Sequence, residues 1–257
     1  VAAAEDGRVI ISARHLTMTY GSGGARVAAL AGVDLDLDPE SVAIMGPSGS
    51  GKSSLLHCLA GIVRPTTGSV LLDATDLTTL PDRQRTALRR TAFGFVFQSG
   101  QLLAELPADE NVALPLMLGG TPVREAVARA REWLGRLGLA GLEQRRPGEL
   151  SGGQAQRVAV ARALVVQPRV VFADEPTGAL DQRTGREVLD VLVEAVGRAG
   201  AALVVVTHDP AVARTCARTL VMADGRIVAA HRADGAPAAA TLPGGLPGTP
   251  VGAGVPR

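Results

Sequence analysis

Eight residues, Gly46-Pro47-Ser48-Gly49-Ser50-Gly51-Lys52-Ser53, stand between an apolar run of strand length, Val42 to Met45, and a run in which Leu55, Leu56 and Leu59 face one side of a helix before Gly61 can end it. A strand, a glycine-rich loop and a helix in that order form the setting of a phosphate loop. That setting commits the chain to an α/β core with parallel strands. Glycines let the backbone turn its N–H groups onto phosphate oxygens, and the helix start adds a favourable dipole. Lys52 is placed to reach β and γ phosphates, and Ser53, followed by Ser54, offers a hydroxyl to Mg²⁺. Of the 26 basic residues Lys52 is the only lysine, the rest being arginine. An arginine is a planar fork and a lysine a compact charge on a flexible stem, so a site that tucks one charge between phosphates rejects an exchange tolerated elsewhere.

Further apolar runs at Phe93 to Phe97, Val170 to Ala173 and Leu203 to Val206 are each followed by a polar residue and a helical pattern. They predict a mostly parallel sheet. Upstream, Val33-Asp34-Leu35-Asp36-Leu37 alternates, which predicts half-exposed antiparallel strands layered on that sheet. Between Phe97 and Val170 the chain reads as helical. Val123, Val127, Ala130, Leu134 and Leu137 are expected on one buried face, with Trp133 beside it as a packing residue. This predicts a domain over 9–232 with a helical subdomain inserted at about 99–165. The alanine, glycine and proline of 233–257 have no period that could build a core, so a disordered tail is expected.

With 257 residues, 46% of them hydrophobic, the chain can bury a substantial core. A net charge of +1, from acids and bases spread along the chain, does not predict a nucleic-acid-binding surface. Cys58 and Cys216 lie in apolar helical contexts without metal-ligand spacing and are expected to be buried thiols of a reducing compartment. No run reaches the roughly 18 apolar residues of a membrane helix, since Val188 to Val206 is cut by Asp190, Glu194 and Arg198. The first eight residues carry Glu5 and Asp6 and no apolar segment, so no secretory signal is expected there and the chain is expected in the cytoplasm.

Two adjacent carboxylates, Asp174 and Glu175, end the strand that starts at Val170. Beside a phosphate loop, Asp174 is suited to the Mg²⁺ position and Glu175 to polarising the water that attacks a γ-phosphate. His208 ends the strand at Leu203, from which a side chain could approach the same phosphate from the far side. Leu150-Ser151-Gly152-Gly153-Gln154 predicts a helix capped by Ser151 whose exposed backbone donors form a second anion site.

This string, with the phosphate loop before it and the acidic strand after it, resembles the ATP-binding cassette (ABC) family over about Val9 to Val228. The resemblance implies ATP and Mg²⁺ as ligands. It implies that Tyr20 stacks on adenine, that Gln98 touches Mg²⁺ and relays nucleotide state to the helical subdomain, that Asp181 crosses a dimer interface, and that His208 is the switch histidine. Ser151, Gly152, Gly153 and Gln154 of one subunit would cap ATP held by the Gly46–Ser53 loop of another, in a head-to-tail dimer with two shared sites. Phe95-Val96-Phe97-Gln98, Leu102-Leu103, the segment Glu110 to Leu116 and Pro176-Thr177-Gly178 resemble the lipoprotein-releasing, macrolide-export and cell-division type. Ala104, Pro107 and Ala179 depart from it where proline, threonine and asparagine are usual. That type implies a separate membrane permease with a large extracytoplasmic domain, and so a place on the inner face of the membrane. The alternative is a soluble ABC ATPase of DNA repair or translation. Such proteins usually carry two cassettes or a long coiled coil, and neither is present in this sequence. A small kinase would leave Leu150 to Gln154 without a role.

Overall fold

The computed structural model describes residues 9–21 and 26–233. A four-stranded antiparallel sheet is ordered β2-β1-β4-β5, with β1 (Ile11–Tyr20), β2 (Val27–Leu37), β4 (Thr67–Leu72) and β5 (Thr75–Asp76). The second sheet is ordered β10-β9-β3-β8-β7-β6, with β3 (Ser41–Met45), β6 (Phe93–Phe97), β7 (Val170–Asp174), β8 (Ala202–Val206), β9 (Arg218–Ala223) and β10 (Arg226–Arg232). All its pairings are parallel except that of β10 on β9.

The parallel strands read as unbroken apolar runs because both their faces are covered. Val42, Ile44, Phe172, Val204 and Val206 enter one core together with the antiparallel layer and helix α1 (Lys52–Leu59). Ala43, Val171, Ala173, Leu203 and Val205 enter a second core on the opposite face, roofed by helices. Phe172 meets Phe93 edge to face, at 5.3 Å between ring centroids, on the α1 side.

Between β6 and β7 lie α3 (Ala108–Leu118), α4 (Val123–Arg136), a 3-10 turn at Pro147–Glu149 and α5 (Gly152–Leu164). The remaining helices are α2 (Asp82–Ala92), α6 (Gln182–Arg198) and the short α7 (Pro210–Ala213). The expected face of α4 holds for Val127, Ala130, Leu134 and Leu137, and departs only at Val123. Its buried line is Ala126, Ala130 and Leu134, continued by Leu137 beyond the helix end, while Val123 is 61% exposed. Val123 is the first helical residue, and its side chain lies past the edge of the core that Ala126 already reaches. Trp133 is half-buried against that core, with the Arg136 guanidinium 5.0 Å from its ring centroid. Strands β4, β5, β9 and β10 were not expected from the apolar runs, because each is short or half-exposed. The tail from 234 lies outside the described residues.

Both cysteines are buried, and burial pushes each thiol up to about 11. No helix among the described residues is long and apolar enough to cross a membrane.

Candidate functional site

Ligand sites in open α/β sheets form beyond the carboxyl ends of parallel strands, where the strand order reverses. Here β3, β8, β7 and β6 are successive neighbours, with Ile44 opposite Val206, Val206 opposite Asp174, and Asp174 opposite Phe97. The residues that follow these positions are therefore brought side by side. They are the Gly46 loop, Thr207 and His208, Glu175 after Asp174, and Gln98.

The loop from Gly46 to Gly51 passes against backbone on both sides. A Cβ on Gly46 would stand 2.2 Å from the Met222 carbonyl oxygen, and one on Gly51 would stand 2.2 Å from that of Ala29, so no larger residue fits either position. Helix α1 opens at Lys52 with no side-chain cap and no acid in its first turn, which leaves its first N–H groups to an external acceptor. The Ser50 hydroxyl is buried, with the residue 4% exposed, and has no hydrogen-bond partner. Lys52 Nζ donates to the carbonyls of Gly46 (2.9 Å) and Pro47 (2.8 Å). No salt bridge among the described residues engages it. An uncapped helix start, an orphaned hydroxyl and an ammonium without a carboxylate partner together fit a phosphate.

Asp174 ends β7 partly buried. Burial holds its carboxyl above the ordinary value and the charge of Glu175 adds to this, while His57 and Lys52 oppose it. Glu175 follows in the left-handed region, at φ 46°, and its N–H donates to Val206 O at 2.9 Å. This turn aims its carboxylate at the end of β8. Oε1 lies 2.6 Å from His208 Nδ1 and accepts from the His208 N–H at 3.1 Å, and Oε2 faces the Thr207 hydroxyl at 3.4 Å. The hydrogen bond and the charge of Glu175 raise the His208 pKa. The Gln98 side chain runs across Gly178, where a Cβ would stand 2.8 Å from its Nε2. Among the described residues no three His, Cys, Asp or Glu side chains cluster as metal ligands. The oxygen groups at this end of the sheet include the Ser53 hydroxyl, the Asp174 carboxylate and the Gln98 amide, of the hard type that Mg²⁺ accepts beside waters and phosphates.

A second patch is built where α5 meets α6. Ser151 caps α5 by accepting from the Gln154 N–H (3.3 Å), and Gln154 Oε1 accepts from the Ser151 N–H (2.9 Å), a reciprocal capping box. Gly153 lets α5 press on α6, since a Cβ there would stand 2.4 Å from the Thr184 methyl. Asp181 caps α6 through Oδ1, which accepts from the N–H groups of Arg183 (3.1 Å) and Thr184 (3.0 Å). Gly152 packs toward Leu180, so the Ser151 start and the Asp181 turn form one surface. No hydrogen bond among the described residues joins this surface to the Gly46–Ser53 loop. Tyr20 ends β1 with 42% exposure, on the strand paired to β2, whose Ala29 backs Gly51.

Sequence reasoning missed Thr207 and Gln156. Thr207 orders the turn before Asp209, whose N–H it accepts at 3.0 Å. Gln156 is a polar residue on the buried side of α5, and that mismatch with its position was the available signal.

Fold and site define a phosphate-loop nucleotide hydrolase of α/β architecture. The chain belongs to the ABC transporter family, whose model matches residues 30–178. It is 48% identical over 243 residues to a macrolide export ATP-binding/permease protein, MacB, of Bradyrhizobium diazoefficiens, covering 93% of this chain and 37% of that one. It therefore spans little more than a third of the MacB relative. It is 45% identical over 221 residues to a lipoprotein-releasing system ATP-binding protein, LolD, of Geobacter metallireducens, covering 86% of this chain and 98% of that one. Among solved structures it is similar to the ATP-binding cassette MJ0796 in a dimeric post-hydrolysis state bound to ADP and Pi, with a TM-score of 0.78, 39% identity, and coverage of 87% and 98%. Within the family the chain is an ATPase cassette of the type represented by LolD and MacB. These relatives lend no support to a role in DNA repair or translation.

Proposed function

We propose that this cassette closes head to tail on a second copy of itself around two ATP molecules, and that closing and reopening drive a membrane permease. One observation carries the reading. Lys52, Ser53, Gln98, Asp174, Glu175 and His208 converge at one end of the parallel sheet, while the capped start of α5 makes no hydrogen bond to any of them among the described residues. A chain with a phosphate cradle and a separate anion-binding helix start is complete only when a partner supplies the missing half.

In this reading residues 9–232 are the cassette, 99–165 its helical subdomain and 233–257 a tail. Backbone donors from Gly46 to Ser54 hold the phosphates and Lys52 neutralises the β and γ charges. Mg²⁺, when bound, screens phosphate charge, and Ser53, Asp174 and Gln98 hold it. Glu175 accepts the proton of the attacking water, His208 fixes the Glu175 carboxylate through the 2.6 Å contact, and Tyr20 stacks on adenine. Ser151, Gly152, Gly153, Gln154 and Asp181 face the nucleotide of the partner.

A cleft of about 600 Å³ between α2, β6, α3 and α5 supports the permease as partner. Its walls include Phe95, Phe97, Leu114 and Leu118, and Arg89, Arg90 and Arg162 border it with no salt bridge among the described residues. An apolar helix face with acidic flanks complements that lining, and the permease would present it from the inner side of the membrane. The large extracytoplasmic domain of the partner follows from the subgroup resemblance.

The test is Mg²⁺-dependent ATP hydrolysis by the purified chain and by Lys52→Arg. The exchange keeps the charge but not the geometry, and kcat/KM is expected to fall by about a hundredfold or more. Unchanged kinetics in that variant contradict the role of Lys52.

A further inference from the structure

We infer that Gln156 is a positioning residue that ties the two half-sites of one chain into a single moving unit, an inference that rests on the two-site dimer proposed above. The residue is 3% exposed. Its amide Nε2 has two protons, and both are used: one goes to the Phe97 carbonyl at 2.9 Å and the other to the Pro176 carbonyl at 2.7 Å. One acceptor ends β6 and the other lies in the turn after β7. Phe97 directly precedes Gln98 and Pro176 directly follows Glu175, so one side chain holds the backbone beside both residues from a helix that neither belongs to. Register reinforces the arrangement, because Phe97 is the strand partner of Asp174.

Further along the same helix, Arg162 donates to the carbonyls of Gln101 (2.7 Å) and Gly100 (2.6 Å). Helix α5 thus grips the Gln98 loop at both ends. Space alone does not require an amide here. A methionine fills a similar volume, and it would leave the buried Pro176 carbonyl without a donor and the Phe97 carbonyl with only the Gly100 N–H (3.0 Å), so the bonds are what the glutamine contributes.

The mechanical consequence follows from where α5 begins. Its Ser151 end faces the nucleotide held by the partner, and its Gln156 side chain holds the loops that face the nucleotide held by its own chain. When α5 shifts as it closes over one nucleotide, the Phe97 and Pro176 carbonyls must shift with it or both bonds must break. Occupancy of one site therefore changes the placement of Gln98 and Glu175 at the other, and the two ATP sites become energetically coupled.

The experiment compares steady-state ATPase of the wild-type homodimer with Gln156→Met and Gln156→Glu, together with thermal melting. Wild type is expected to respond to ATP with a Hill coefficient near 2. Gln156→Met is expected to bring it close to 1 and to lower kcat about tenfold, with half-saturation shifted by no more than about threefold. A lowered melting temperature with Hill coefficient and kcat unchanged overturns the coupling and leaves Gln156 as packing. A wild-type chain that hydrolyses ATP without any cooperativity overturns the two-site dimer, and the coupling with it. If neither variant folds, amide exchange of the wild type decides. ATP is expected to slow exchange in segments 97–101 and 152–160 at the same ATP concentration, and protection of the two at clearly different concentrations overturns the coupling.

Discussion

Glu175 and His208 show what single residues add to a fold that any similar backbone would supply. Their contact is an ion pair only while His208 is protonated, and the carboxylate raises the His208 pKa above its ordinary 6.5. A group whose folded value is raised contributes stability that is fully present below its unfolded value and lost as pH rises through the folded one. Wild type is therefore expected to melt higher than His208→Gln near about pH 6, with the difference vanishing as pH rises through the raised value. Melting curves of the two proteins across that range check it, and a difference that grows with pH contradicts the pairing. The catalytic candidates were legible in the sequence because they sit in short strings, such as Gly46 to Ser53 and Leu150 to Gln154. Gln156 was not legible in this way. A helical glutamine carries no mark of the carbonyls it will meet, because Phe97 and Pro176 are 59 and 20 residues away in the chain.

At the scale of elements, the start of α5 is shaped by its fit against α6. Replacing Gly153 by alanine gains up to about 1 kcal/mol of helix propensity. The new Cβ, however, would stand 2.4 Å from the Thr184 methyl, and overpacking of that kind costs about 1–3 kcal/mol. Gly153→Ala is expected to lower the melting temperature, and adding Thr184→Ser, which removes the methyl, is expected to restore most of the loss. A rise in melting temperature for the single variant contradicts this packing account. Strands β3, β6, β7 and β8 were legible because both faces are buried and the runs are continuous. Strands β4, β9 and β10 were not, since alternating or half-exposed segments leave only a weak apolar signal. The expected face of α4 runs one residue too far, at Val123, for a related reason. Periodicity identifies a stripe, and only the neighbouring helices decide where along that stripe the core ends.

At the scale of the whole molecule, the proposed dimer assigns two surfaces of the chain to different nucleotides. The parallel sheet gathers Lys52, Gln98, Asp174, Glu175 and His208 at its carboxyl edge, and the α5–α6 corner carries Ser151 and Asp181. The sequence suggested this division only through the family resemblance, because the arrangement of one half-site relative to the other depends on sheet order and on a second chain. In the proposed cycle ATP holds two copies together until Glu175 permits hydrolysis. Light scattering gives the mass of Glu175→Gln in solution, with and without ATP and Mg²⁺. A monomer is expected without nucleotide and a stable dimer of twice 26.3 kDa with ATP, turning over at least about a hundredfold more slowly than wild type. A variant that remains monomeric at saturating ATP, or that hydrolyses it at the wild-type rate, would contradict it.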